Sequence, residues 1–207
     1  MLNAAIIGVT AALAVLPGCA NAERKPADMA SMQNPQAPAA MSASALDCDL
    51  RVAIQASPGS LLLGYEFRNR SNRTAFLFNV VHRTGPSGGP EADPNLVYVQ
   101  PAGQAVILGK RIFPVPQDLD VEKPEVPYVT RVEPGGVFVE KLSLMLPLRV
   151  FSAYPQVRTA VPAEAAAYFE LGFFLAPDPS VAKQAGGNLV VYPFPADKQV
   201  ILRAGPL

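Results

Sequence analysis

Cys48-Asp49-Leu50-Arg51-Val52-Ala53-Ile54-Gln55 and Leu61-Leu62-Leu63-Gly64-Tyr65-Glu66-Phe67-Arg68 decide the fold class. In the first stretch Cys48, Leu50, Val52 and Ile54 fall on one side and Asp49, Arg51 and Gln55 on the other. In the second, Leu61, Leu63, Tyr65 and Phe67 alternate with Leu62, Gly64, Glu66 and Arg68. A period of two puts alternate side chains on opposite faces of an extended chain, so both stretches read as strands with one buried face. Asn69-Arg70-Ser71-Asn72-Arg73 then supplies turn chemistry, and Phe76, Phe78 and Val80 open a facing strand.

The same reading carried outward predicts strands over 96–100, 105–113, 127–132, 137–146, 166–175, 189–194 and 199–203. Within 137–146 the alternation slips at Glu140-Lys141, where a β-bulge is expected. Only 160–168 and 179–185 offer helical turns, and Pro162, Pro177 and Pro179 keep them short. The expected fold class is therefore all-β: a two-layer antiparallel sandwich over residues 46–207, immunoglobulin-like, with a small β-barrel as the alternative.

The chain has 207 residues, enough for one such domain and an N-terminal extension. Lys+Arg and Asp+Glu both number 17, so there is no basic surplus to displace counterions from phosphates, and nucleic acid is not an expected partner.

From Ala4 to Gly18 only Thr10 is polar. Fifteen helical residues span about 22 Å, short of the ~30 Å hydrocarbon core, which fits a secretory apolar region better than a membrane span. The run ends in Leu16-Pro17-Gly18-Cys19. These four residues resemble the lipobox of bacterial lipoproteins. The resemblance implies a signal peptide over 1–19, cleavage before Cys19, a diacylglyceryl thioether on Cys19 and a mature protein held to a membrane by lipid. It covers no more of the chain than that. Ala20-Asn21-Ala22 offers a competing small-x-small cleavage site that would release a soluble periplasmic or secreted protein.

Residues 20–45 are rich in Ala, Pro, Ser, Met, Gln and Asn with no apolar period, and read as a disordered linker. As a flexible coil it would reach roughly 25–30 Å, enough to hold a domain clear of lipid headgroups.

The chemistry-bearing residues are few. Gly85-Pro86-Ser87-Gly88-Gly89 matches the spacing of a nucleophile elbow, but Pro90, Asp93 and Pro94 follow in place of a helix. His82, the one histidine, precedes the serine, so a hairpin loop is the expected structure. One histidine and one cysteine beyond Cys19 do not make a zinc site, and His82 is expected to be partly buried at a strand end. Cys48, between Asp47 and Asp49 and on the apolar face, is expected to be a buried, weakly reactive thiol. Asp118, Asp120 and Glu122 alternate in a Pro-rich segment without the Gly-containing loop a calcium site uses, and read as a solvated acidic stretch. Arg68, Arg70, Arg73 and Arg83 are expected to gather as a small basic patch. Asn69-Arg70-Ser71 and Asn72-Arg73-Thr74 have the form of glycosylation acceptors, which in a bacterial host would serve as turns instead.

No catalytic, cofactor-binding or metal-ligating set emerges. The expected function is a non-enzymatic envelope lipoprotein, a tethered sandwich that serves as a binding or structural module of unknown ligand, with the membrane as partner through its lipid and another envelope protein as a candidate. The alternative is an exported hydrolase with a dispersed site. The expected contact surface is the 114–134 segment, whose prolines keep it extended and where Phe113, Val115, Val126 and Tyr128 supply apolar groups. A long inter-sheet crossover without a partner is the competing reading.

Overall fold

A computed structural model describes residues 40–154, 161, 164–186, 189–193 and 198–207. The signal segment 1–19, Cys19 and the linker up to residue 39 lie outside the described residues, as do Ala160, Pro162 and Phe194. The described chain is all-β. Its strands are β1 (Ala40–Ala45), β2 (Cys48–Ser57), β3 (Ser60–Asn69), β4 (Ala75–Val80), β5 (His82–Thr84), β6 (Pro90–Ala92), β7 (Tyr98–Ala102), β8 (Ala105–Lys110), β9 (Tyr128–Val132), β10 (Val137–Met145), β11 (Ala166–Leu175), β12 (Lys183–Gly186), β13 (Leu189–Val191) and β14 (Val200–Ala204), with one 3-10 turn at Pro179–Val181.

A four-stranded sheet runs β1-β2-β3-β10, wholly antiparallel. The larger sheet runs β12-β13-β9-β4-β11-β8-β7, with β14 also on β11; β8 and β11 are parallel and its other pairs antiparallel. The two sheets share one core. Leu50, Val52, Leu63, Tyr65, Phe67 and Leu142 of the first meet Leu77, Leu108, Phe169, Leu171 and Phe173 of the second. Neither sheet closes on itself, so this is a sandwich and not a barrel. Its order keeps β1, β2 and β3 adjacent, whereas an immunoglobulin constant domain pairs its first two strands with the fourth and fifth.

The larger sheet is covered on both faces. Phe76, Phe78, Phe174 and Tyr192 form a second cluster, and Val81, Tyr98, Ile107, Phe113 and Tyr154 a third. That double cover is why β4 reads Ala75-Phe76-Leu77-Phe78 without a polar break: a strand buried on both sides has no face to give to water.

Several expectations need correction. Residues 40–45, assigned to the linker, form β1 in full register with β2, from Ala40 opposite Ala53 to Ala45 opposite Cys48. Met41, Ala43 and Ala45 pack on the core while Ala40, Ser42 and Ser44 alternate with them, a period carried by side chains too small to announce it. There is no bulge at Glu140-Lys141, because β10 pairs with β3 residue for residue from Val137–Arg68 to Met145–Ser60. Phe138, Glu140, Leu142 and Leu144 all point inward; the apparent slip is a carboxylate facing the core. The strand expected over 105–113 ends at Lys110, and of the helical turns expected over 160–168 the last three residues belong instead to β11, which starts at Ala166.

The 111–127 segment joins β8 to β9 within the larger sheet, so it is a crossover, but not one between sheets. Its apolar groups are used internally. Phe113 (4 % exposed) and Tyr128 (9 %) are buried, Val115 packs on the third cluster and Val126 on the second. Leu119 and Val121 also pack on the third cluster, leaving Asp118, Asp120 and Glu122 exposed between and beyond them. The four residues expected to meet a partner thus meet their own sheet.

Candidate functional site

His82, the one histidine of the chain, ends up in a cleft. It starts β5, paired with Ala92 of β6 in a hairpin whose loop is Gly85–Gly89. The loop closes through Gly85 N–H to Gly89 O (2.7 Å) and Gly88 N–H to Gly85 O (3.0 Å), with Gly88 at φ +80°, a left-handed position that suits glycine. The serine of the elbow-like motif therefore sits at a hairpin tip. One side of the His82 ring lies against Tyr128, with centroids 5.1 Å apart, and Nε2 is 2.7 Å from Glu125 Oε1, delivered by the crossover. The crossover is pinned there by Glu125 N–H donating to the Tyr154 hydroxyl at 2.9 Å.

The cleft holds about 460 Å³ and is lined by His82, Arg83, Thr84, Tyr98, Glu125 and Phe151–Ala153, with Gly88 and Pro90 at the hairpin. Two of the buried polar atoms that lack a hydrogen-bond partner among the described residues belong to residues of this cleft: His82 Nδ1 and the Tyr98 hydroxyl. Tyr98 is 1 % exposed, packed between Phe113 edge-on at 5.4 Å and Phe151 stacked at 5.5 Å. Burial, with the Glu125 carboxylate and Tyr154 nearby, raises its pKa well above the ordinary value, so the group remains a neutral O–H donor. Ser152 Oγ accepts from Gln100 Nε2 (2.9 Å) and from Tyr154 N–H (3.3 Å). A buried donor without an acceptor costs about 1–3 kcal/mol, so two orphaned atoms in one polar cleft mark a place where something else completes the network.

A second, largely apolar cleft of about 350 Å³ adjoins the first at Phe151, lined by Leu96, Val97, Leu144, Met145 and Leu148 among others. Phe151 is fixed between the two by a bridge to Val99 of β7 (Val99 N–H to Phe151 O, 2.7 Å; Phe151 N–H to Val99 O, 3.1 Å).

A polar island lies inside the core itself. Lys110 of β8 has a fully buried side chain whose Nζ donates to Glu140 Oε2 at 2.7 Å and to Pro94 O at 2.9 Å. The Tyr65 hydroxyl donates to the same Oε2 at 2.6 Å, and the Asn79 amide approaches that hydroxyl as a donor. Burial lowers the Lys110 pKa against the opposing pull of Glu140, and burial raises that of Tyr65. Asn79 is itself buried, and its Oδ1 has no partner.

The remaining sequence candidates are engaged elsewhere. Cys48 is buried, its Sγ facing Asn69 Oδ1 at 3.6 Å, and burial with the flanking Asp49 and Asp47 pushes its thiol up to about 11. Asn69 (0 % exposed) is a turn hub whose Nδ2 donates to Arg73 O and Val132 O, while Oδ1 accepts from Ser71. The four arginines are dispersed on separate partners: Arg68 with Glu66, Arg70 with Asp49, Arg83 with Glu91, and Arg73 donating to Leu175 O. Sequence reasoning missed Tyr98, Glu125 and Ser152 as cleft residues and the Lys110–Glu140 pair; only the inward carboxylate of β10 left a trace, the apparent break in alternation. Compared with known protein families, curated proteins and solved structures, the chain matches none.

Proposed function

We propose that this chain is a non-enzymatic binding module of the cell envelope, a β-sandwich carried on a lipid-modified Cys19, with the His82–Tyr98 cleft as its binding site. The observation that supports it is the pair of buried, unpartnered polar atoms, His82 Nδ1 and the Tyr98 hydroxyl, on the wall of one cleft. Tyr98 offers a fixed O–H donor, and the adjoining apolar cleft past Phe151 gives the site a second, water-averse compartment. A ligand with a polar, acceptor-bearing end and an apolar end suits both. The anchoring part of the reading rests on Leu16-Pro17-Gly18-Cys19 and on the apolar run before it. Two or more acyl chains on Cys19 would hold the domain stably at a membrane.

The test is native mass spectrometry of the protein recovered from its own host. A small ligand retained by the wild type and absent from Tyr98→Phe supports the site, and an acylated N-terminus at Cys19 supports the anchor. Equal ligand retention by both proteins would reject the cleft, and an unmodified N-terminus at Asn21 or Glu23 would reject lipidation.

One observation favours a hydrolase as the second reading: Ser152, His82 and Glu125 line the same cleft. Against it, Nε2 of His82 faces Glu125, Nδ1 is buried with no contact to a hydroxyl, and the hydrogen bonds of Ser152 go to Gln100 and Tyr154. A nucleophile needs a base in reach of its proton. Hydrolysis lost on Ser152→Ala would establish this second reading.

A further inference from the structure

We propose that Lys110 and Asn79 become joined by an intramolecular isopeptide bond between Nζ and Cγ, with Glu140 and Tyr65 carrying the protons.

The partners of β11 bring β8 and β4 end to end on one edge. Parallel β8 runs along β11 until Lys110 stands opposite Leu171. Antiparallel β4 enters from the other end, with Ala75 opposite Leu175 and Leu77 opposite Phe173. Because β14 takes the opposite edge of β11 over Phe169–Phe173, β8 and β4 share one edge. The β4 ladder on β11 ends at Leu77, and β4 shifts register against β9 between Leu77 and Val80, the stretch that carries Asn79 beside the end of β8. Both side chains face the same core: Lys110 continues the series Val106 and Leu108 and reaches Glu140 of the facing sheet, and buried Asn79 meets Tyr65 of that sheet. Above them, from the other sheet, Glu140 receives Lys110 and Tyr65 on one oxygen, and Tyr65 meets the Asn79 amide. Amine, carboxylate, hydroxyl and amide thus form one chain of contacts within an apolar shell that includes Phe138 and Phe169, whose rings lie 6.1 and 4.9 Å from that of Tyr65.

That arrangement suits aminolysis of the amide. Glu140 takes one proton from Nζ, and the freed lone pair adds to Cγ of Asn79. The Cγ–Nδ2 bond breaks as protons pass from Glu140 through the Tyr65 hydroxyl to Nδ2. In all, two protons move from Nζ to Nδ2, the nitrogen leaves as ammonium with the charge Lys110 brought, and Glu140 is again a carboxylate. No oxidant or reductant enters. Burial disfavours the ammonium form of Lys110 and so favours the nucleophilic one. The product would staple β4 to β8, which share β11 without hydrogen-bonding to each other.

Tryptic mapping of the folded wild-type protein tests this. The expected product is a branched peptide joining Thr74–Arg83 to Thr84–Arg111, uncleaved after Lys110 and lighter than the two linear peptides together by one ammonia. Glu140→Gln, confirmed folded by circular dichroism, should give only linear peptides, with cleavage after Lys110. Quantitative cleavage after Lys110 in folded wild-type protein would overturn the bond, whatever the variant does. A branched peptide persisting in folded Glu140→Gln would overturn the role of the carboxylate.

Discussion

Tyr98 is the residue at which stability and binding separate. Its hydroxyl is buried without a partner, so Tyr98→Phe should raise unfolding stability by about 1 kcal/mol, read as a higher urea midpoint with unchanged slope. A lower midpoint would mean that the hydroxyl is satisfied in the unliganded domain. Cys48 gives a pH signature. Its thiol titrates near 9.0 when free of the fold and at about 11 within it. Between those values the unfolded chain releases a proton that the folded chain keeps. The contribution is therefore intact below pH 9 and declines as pH rises to 11, by about 3 kcal/mol over the two units. Urea midpoints at pH 8, 10 and 11 should follow that decline, and Cys48→Ala should flatten it. The burial of Cys48 was legible because Leu50, Val52 and Ile54 repeat its period. The cleft was not, because His82, Tyr98, Glu125 and Ser152 come from four separate segments and no local pattern links them.

At the scale of elements, the hairpin between β1 and β2 is built on unfavourable residues. Leu46 and Asp47 form its two-residue turn with φ of 50° and 57°. Two positive φ values are the signature of the turn that Asn-Gly fills at least cost, and a leucine there bears the Cβ–carbonyl clash. Replacing the pair by Leu46→Asn with Asp47→Gly should stabilise the domain by about 1–2 kcal/mol, measured by thermal or urea unfolding; no gain would show that β1 contributes nothing to the cooperative unit. The same leucine hid the element. Read as the opening apolar residue of a strand, Leu46 put the domain boundary at the turn, and the Ala/Ser alternation before it lacked the bulk to correct that. Glu140 misled in the opposite way. Charged side chains face a core only when a partner waits there, and Lys110 lies 30 residues away, so the inward carboxylate of β10 read as a broken period.

For the whole molecule, alternation sufficed to give the class, since each long strand carries its own record of which face is buried. The order of strands was beyond reach: β11 takes β8, β4 and β14 as partners from distant parts of the chain, and nothing local encodes that choice. The turn after β3 carries a further consequence for production in cells that attach glycans to Asn-x-Ser/Thr. The Asn69 amide is wholly enclosed and holds Arg73, Val132 and Ser71 in place, so an oligosaccharyltransferase can reach it only while the chain is unfolded, and a sugar placed there would forbid β3, the turn and β9 from closing. Asn72, three residues on, is exposed and could carry one harmlessly. Expression in a eukaryotic secretory pathway should therefore divide the product into a folded fraction unmodified at Asn69 and a retained, aggregated fraction modified there, separable by glycopeptide mapping, with Ser71→Ala recovering the lost yield at the cost of the turn contacts its hydroxyl makes with Asn69 and Arg73.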